Sequence, residues 1–292
     1  MKKFLFIASA LFAFTFAIAQ DDLNQDFALR YKRLVSVGGY DGVGVETLLN
    51  KWEYYDKYNP QMLEAWFNFY LKKSFHTEAV PKKQAKYLGN KPMMTLKDST
   101  GNDVNYFEEL IFDDAMFGKA VTYIERAIGA HPNELALRFD YIGALIDYEK
   151  ESPDLALSKI LELISDNNKL PGSWTYEGKV VSQETFADLM QDYCSIFYKK
   201  GTAKSYEAFK SISEKMFGQF PGNLEFLNNQ GAYWASVGNN PKKALKVYEK
   251  VLKKDPDNKN ALTNCVILYR KINDRKKASA YQMRLAKLSV EQ

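Results

Sequence analysis

Histidines, cysteines, clustered carboxylates and glycine-rich turns are the usual raw materials of an active site, and this chain uses them sparingly. It has two histidines, His76 and His131, and two cysteines, Cys194 and Cys265, in 292 residues. A zinc protease needs two histidines four apart around a glutamate, and a structural zinc site needs Cys or His ligands at short spacing; neither pattern occurs. GxSxG is absent, and Cys194 sits in no local nucleophile signature. His131, just before Pro132, reads as a turn residue at a helix end, and His76 as a residue closing a helix. VSVGGYDGVGVET (35–47) is glycine-rich, as phosphate-cradling loops are, but counting GxGxxG from Gly42 puts Thr47 at the last glycine. With no strand before it, it reads as a connection between helices. DPDNKN (255–260) superficially resembles a calcium loop. Lys259 takes a ligand position, Asn260 replaces the turn glycine and no acid closes it, so it reads as a turn. Glu108, Glu109, Asp113 and Asp114 could pair carboxylates for acid–base work, although aspartates at a helix start are expected from capping and the helix dipole. The chain is therefore read as a non-enzyme, with no catalytic residue, cofactor or metal expected.

Composition agrees with a folded binding protein. Hydrophobic residues make up 46% and charged residues 26%, which excludes a disordered or low-complexity chain. The formal charge is +4, and it falls by two if Lys2 and Lys3 are removed, so nucleic acid is not an expected partner. Removal is expected because MKKFLFIASALFAFTFAIAQ has the three parts of a secretory signal. A basic start precedes an apolar run from Phe4 to Ile18, and Ala17 and Ala19 mark cleavage before Gln20. The run is shorter than the ~20 residues that span a bilayer. Residues 1–19 are thus read as a signal peptide, and the mature protein as exported, periplasmic or secreted, without a stable membrane anchor.

The elements that must position any site are helices. Apolar residues recur three and four apart over 22–36, 45–57, 61–74, 113–129, 133–149, 153–166, 183–200, 203–218, 223–237, 241–254, 258–272 and 275–289. Asn59–Pro60, His131–Pro132, Pro221–Gly222 and Asp255–Pro256 punctuate them. Strand-like alternation is scarce, and its best case is 93–107, where DSTGND (98–103) could turn a hairpin; a helix at 104–112 is the competing reading.

Twelve short helices call for a search for repeats. Leu227, Gly231 and Trp234 are spaced four and three apart, and a short turn leads to Ala244, Tyr248, Val251 and Pro256. Leu262, Cys265, Tyr269, Ala278 and Leu285 occupy corresponding places one unit later. A small residue recurs at Ala120, Ala156, Ala208, Ala244 and Ala278, at intervals of 36, 52, 36 and 34. Leu48, Trp52, Tyr55 and Pro60 copy the spacing with leucine in the alanine place.

This pattern resembles the tetratricopeptide repeat, whose period is ~34 residues. The match is clearest over 224–258 and 259–288. Gln230 replaces the usual leucine, and there is one extra residue in the turn at Asn239–Pro241. The interval of 52 contains an insertion at about 170–182, and 75–111 is a second. The resemblance implies an all-α fold over 20–292, a right-handed superhelical stack of helix–turn–helix repeats, into which the 93–107 stretch could insert a small β-hairpin. It also implies protein or peptide binding in a groove lined by the first helix of each pair.

Counting from Leu224 and Lys259, the inward places are Glu225, Asn228, Asn229, Asn260, Asn264, Arg270 and Lys271. Asparagine offers both donor and acceptor to a peptide backbone, and Arg270 with Lys271 could hold a carboxylate. The Lys/Asn clamp by which some members hold acidic C-termini is missing its lysine, because Asn228, Ala232 and Thr263 stand there. Trp234 and Tyr248 are expected to pack between helices. Cys194 and Cys265, two repeats apart where layers pack ~8–10 Å apart, are expected to be free buried thiols. The alternative function is carbohydrate or small-ligand binding on aromatic platforms at Tyr106–Phe107 and Trp174–Tyr176.

Overall fold

A computed structural model of the chain describes residues 20–176 and 178–290. The signal segment lies outside them. Among the described residues the chain is predominantly helical, with twelve helices in packed consecutive pairs and a few short strands. It divides into two compact units.

The helices begin where the sequence supplies a cap. Asn59 accepts from Met62 N at 3.0 Å with Pro60 opening α3 (Pro60–Lys73), and Asp113 accepts from Met116 N at 2.9 Å ahead of α4 (Asp114–Ala130). Asn240 does the same before Pro241 of α10 (Pro241–Lys254). Thr202 and Ser205 form a reciprocal capping box at the start of α8 (Ala203–Gln219). Each side chain answers one of the unpaired N–H groups that any helix start leaves.

Unit 1 takes in residues up to 150 together with 170–182. It holds α1 (Gln20–Gly38), α2 (Val45–Tyr55), α3, α4 and α5 (Leu135–Glu149). The glycine-rich 35–47 segment is a tight helix connection, with Gly44 in the left-handed region (φ 88°) as the residue before α2. Leu48, Trp52, Trp66, Ala120 and Ile124 are all buried in its core.

Between α3 and α4 the chain makes a three-stranded antiparallel sheet, β1 (Phe75–Lys82), β2 (Met94–Lys97) and β3 (Asp103–Phe112), with β3 in the middle. Met94 faces Tyr106 and Lys97 faces Asp103, and the hairpin turn is closed by Asp98 Oδ1 accepting from Thr100 N and Asn102 N. Residues 104–112 are therefore strand, not helix. They are held there by β1, which pairs from Phe75↔Phe112 to Lys82↔Asn105. The sheet is anchored at its helical end. Phe107 is buried, Phe112 packs edge-on against Phe117 and Tyr148, and Asp113 N donates to Ser74 O at 2.6 Å. Glu109, also buried, lies 2.7 Å from Lys82 Nζ and 3.1 Å from Lys150 Nζ. Burial alone would raise its carboxyl, but the two ammonium groups outweigh it and hold it below the usual glutamate range.

The 170–182 segment carries a small hairpin, β4 (Thr175–Tyr176) and β5 (Lys179–Val180), that docks on α5. Thr175 N donates to Asn133 O at 2.9 Å, and Trp174 and Val181 are buried.

Unit 2 comprises residues 151–169 and 183–292, with α6 (Asp154–Lys169), α7 (Gln183–Lys200), α8, α9 (Leu224–Ser236), α10, α11 (Lys259–Lys271) and α12 (Arg275–Val290). Its core joins Leu227, Ala244, Tyr248, Val251, Leu262, Cys265, Tyr269 and Ala278. Ala156, Ala208, Ala244 and Ala278 are all buried, and so is Ala120 in unit 1, as close-packed helix pairs require.

Candidate functional site

In unit 2 the first helices of successive pairs are direct neighbours, α7 beside α9 and α9 beside α11. Each turns a polar stripe outward at three- and four-residue intervals. The stripes are Glu184, Asp188, Gln191, Ser195 and Tyr198 on α7, Glu225, Asn229, Ala232 and Ser236 on α9, and Asn260, Asn264, Ile267 and Lys271 on α11. The opposite faces are committed to the core, through Phe186, Met190, Cys194 and Phe197 on α7 and Ala261, Leu262, Cys265 and Tyr269 on α11.

Polar side chains tie the stripes together. Asn229 Nδ2 donates to Gln191 Oε1 at 2.8 Å, and Gln191 Nε2 returns a bond to Asn229 Oδ1 at 3.3 Å. Tyr198 reaches Ser236 Oγ at 3.5 Å. On α11, Asn264 Nδ2 donates to the side chain of Asn260 at 2.7 Å and to its carbonyl at 3.0 Å. Ile267, 55% exposed, is an apolar residue set among these amides.

The seven residues expected to line the binding face are only partly brought together. Glu225, Asn229, Asn260, Asn264 and Lys271 lie on the outward stripes. Asn228 does not: it is buried, and its Nδ2 donates at 3.2 Å to Oδ1 of Asn258, the residue that caps α11. Its place is in the joint between pairs. Arg270 and Lys271 diverge, with Arg270 donating to Gln282 on α12 and Lys271 to Asn239 in the α9–α10 turn, both at 3.3 Å. Adjacent residues on a helix point about 100° apart, so the two are not aimed at one carboxylate. Gln191, Ser195, Tyr198 and Ile267 were missed, although their spacing within α7 and α11 carries the signal.

Other candidates fall into structural places. Trp234 is half-buried with Lys243 Nζ 3.3 Å from its ring centroid, and Tyr248 is fully buried. Cys194 and Cys265 are buried free thiols, each pushed up to about 12, by burial first. Asp255 closes α10, and Asn258 starts α11, so DPDNKN is a turn between helices. Phe107 and Trp174 are buried at 2% and 3%, so neither insertion offers the paired aromatic platform that sugar stacking would need.

No family model and no curated protein matches the chain. Among solved structures, one described as the functional characterization of Pseudomonas aeruginosa pilF aligns with 94% of this chain and 100% of its own, at 10% identity and a TM-score of 0.38. A likeness of that depth says nothing about partner or activity.

Proposed function

We propose that this protein is an exported, non-enzymatic scaffold of tetratricopeptide type, which binds a protein or peptide on the first-helix face of unit 2. The observation that carries this reading is the face itself. Three adjacent helices present outward amides, hydroxyls, carboxylates and one exposed isoleucine, while the opposite side of each helix is buried in the core. Amides offer donors and acceptors together, which suits an extended polypeptide backbone, and an apolar residue among them supplies contact area. Export rests on the signal-like first 19 residues, and the envelope is the compartment that reading implies. Among the described residues no helix is long and apolar enough to cross a membrane.

The test is site-specific photocrosslinking. A benzophenone amino acid at Ile267, on the proposed face, is compared with one at Met283 on α12, which is 60% exposed and off it. Expression in the source cell should give a discrete adduct from position 267 and none from 283. Equal adduct patterns from both positions would show that the face has no partner.

A further inference from the structure

The charge of the chain is unevenly spread. Residues 241–290 hold fourteen lysines and arginines against four acids, a net of +10, whereas the rest of the chain holds twenty-six against thirty-two, a net of −6. The basic segment is α10, α11 and α12, the last three helices of unit 2. On α10, Lys242, Lys246, Lys250 and Lys253 are all exposed at intervals of four, four and three, which sets them in one stripe. The stripe runs for about 16 Å, at ~1.5 Å per residue, on the side away from buried Ala244, Tyr248 and Val251. On α12, Lys276, Ala280, Met283 and Lys287 are likewise exposed at intervals of four, three and four, opposite Tyr281, Leu285 and Leu288, which pack on the core. Since α9 and α11 are neighbours and α11 packs against both α10 and α12, the two stripes belong to the far side of the unit from the first-helix face. Arg284 ties α12 to the end of α10 by donating to Pro256 O at 2.6 Å.

Among the described residues Lys242, Lys246, Lys250, Lys253, Lys276 and Lys287 make no hydrogen bond, ion pair or ring contact. Three of the four acids in the segment are engaged elsewhere. Glu249 accepts from the Tyr269 hydroxyl, Asp255 from Asn258 Nδ2 and Asp274 from Lys277 N. Like charges four apart destabilise a helix, so the stripe costs stability that its own contacts do not return.

The chemistry that complements these stripes is a broad anionic surface. Lysine is a point charge on a flexible stem, whereas planar two-pronged recognition of a single phosphate uses arginine. Eleven of the fourteen basic residues are lysine. A single-stranded nucleic acid would need aromatic platforms. Here Tyr248 and Tyr269 are buried, and Tyr281 stacks on Tyr269 with ring centroids 5.4 Å apart. Met283, 60% exposed between Lys276 and Lys287, is an apolar side chain that the headgroup–acyl boundary accommodates. We propose that the α10–α12 face of unit 2 binds the anionic headgroups of a lipid bilayer, leaving the first-helix face turned away from the membrane. The assignment stands on the placement of charge and is independent of the polypeptide face. Contact of Met283 with lipid adds no protein-sized adduct, so position 283 remains the off-face comparison for crosslinking.

The experiment is vesicle co-sedimentation of the mature chain from Gln20, which lacks the apolar residues 1–19. Vesicles of phosphatidylcholine and phosphatidylglycerol in equal parts should bind the chain at low ionic strength and release it in high salt. Vesicles of phosphatidylcholine alone should not bind it. The combined changes Lys242→Gln, Lys246→Gln, Lys250→Gln and Lys253→Gln should weaken binding to the anionic vesicles at least tenfold with helicity unchanged. The same four positions changed to arginine should bind as the wild type does. If the glutamine variant misfolds, Lys276→Gln with Lys287→Gln carries the same expectation of weakened binding. No binding to the anionic vesicles, equal binding to both kinds, or undiminished binding by the folded variants would overturn the proposal. So would tighter binding of a duplex DNA than of the anionic vesicles, which would assign the face to nucleic acid. Self-association of the chain alone that the glutamine variant abolishes would assign it to a second copy, and would overturn the proposal as well.

Discussion

Gly231 shows how finely the helix pairs of unit 2 are fitted. A Cβ placed there would lie 2.6 Å from Tyr248 Cζ and 2.7 Å from its Cε1, inside the van der Waals limit of a fully buried ring. Gly231→Ala should therefore destabilise the protein although alanine favours helix. Overpacking costs about 1–3 kcal/mol against a propensity gain of about 1 kcal/mol, and the urea midpoint should fall. An unchanged midpoint would mean that Tyr248 can shift away. Asp140 on α5 governs a second effect, with Glu64 and Tyr40 among its titratable neighbours. Its folded form keeps the proton up to about 7, whereas the unfolded chain releases it near ~3.9. Folding is therefore favoured by protonation at low pH. That contribution is lost as pH rises from about 4 to about 7, by up to a few kcal/mol. Melting should be lower at pH 8 than at pH 5, and Asp140→Asn should flatten the difference. A variant with the same drop would clear Asp140 of that role.

Caps and joints do comparable work at the scale of the element. Asn258 caps α11 through Ala261 N at 3.0 Å, accepts from buried Asn228 at 3.2 Å and donates to Asp255 at 3.0 Å. Asn258→Ala removes a cap worth about 1 kcal/mol and strands a buried amide worth about 1–3 kcal/mol more. Its melting temperature should fall further than that of Asn223→Ala, a cap with no such buried partner among the contacts described, and equal losses would refute the joint. Cys194 on α7 and Cys265 on α11 are buried on the core sides of their helices. In the native state both should resist maleimide at neutral pH, and two equivalents should react after denaturation without reductant. Fast native labelling would contradict their burial. The helices were legible in the sequence because Asn–Pro and Asp–Pro steps and apolar spacing act locally. Strand β1 was not. FHTEAVPK carries Pro81 and shows little alternation, and it is a strand because β3 pairs with it across more than twenty intervening residues.

At the scale of the whole molecule, the repeat spacing foretold the helix pairs and their small buried residues, from Ala120 through Ala278. It could not foretell that 170–182 would belong with unit 1, since docking of Thr175 on Asn133 joins positions far apart in the chain. The outward face was legible through spacing on α9 and α11. Two of its expected members were displaced by neighbours no local pattern reveals, Asn228 by the cap at Asn258 and Arg270 by Gln282. The central claim is that this face binds a polypeptide. The most direct measurement is the affinity of the partner crosslinked through position 267 for the wild-type chain and for the double variant Asn264→Ala, Ile267→Ala. Both side chains lie on the solvent side of α11, so helicity and melting should be almost unchanged. The account predicts a dissociation constant at least tenfold weaker, about 1.4 kcal/mol. Equal affinity in a variant that remains fully folded would contradict it.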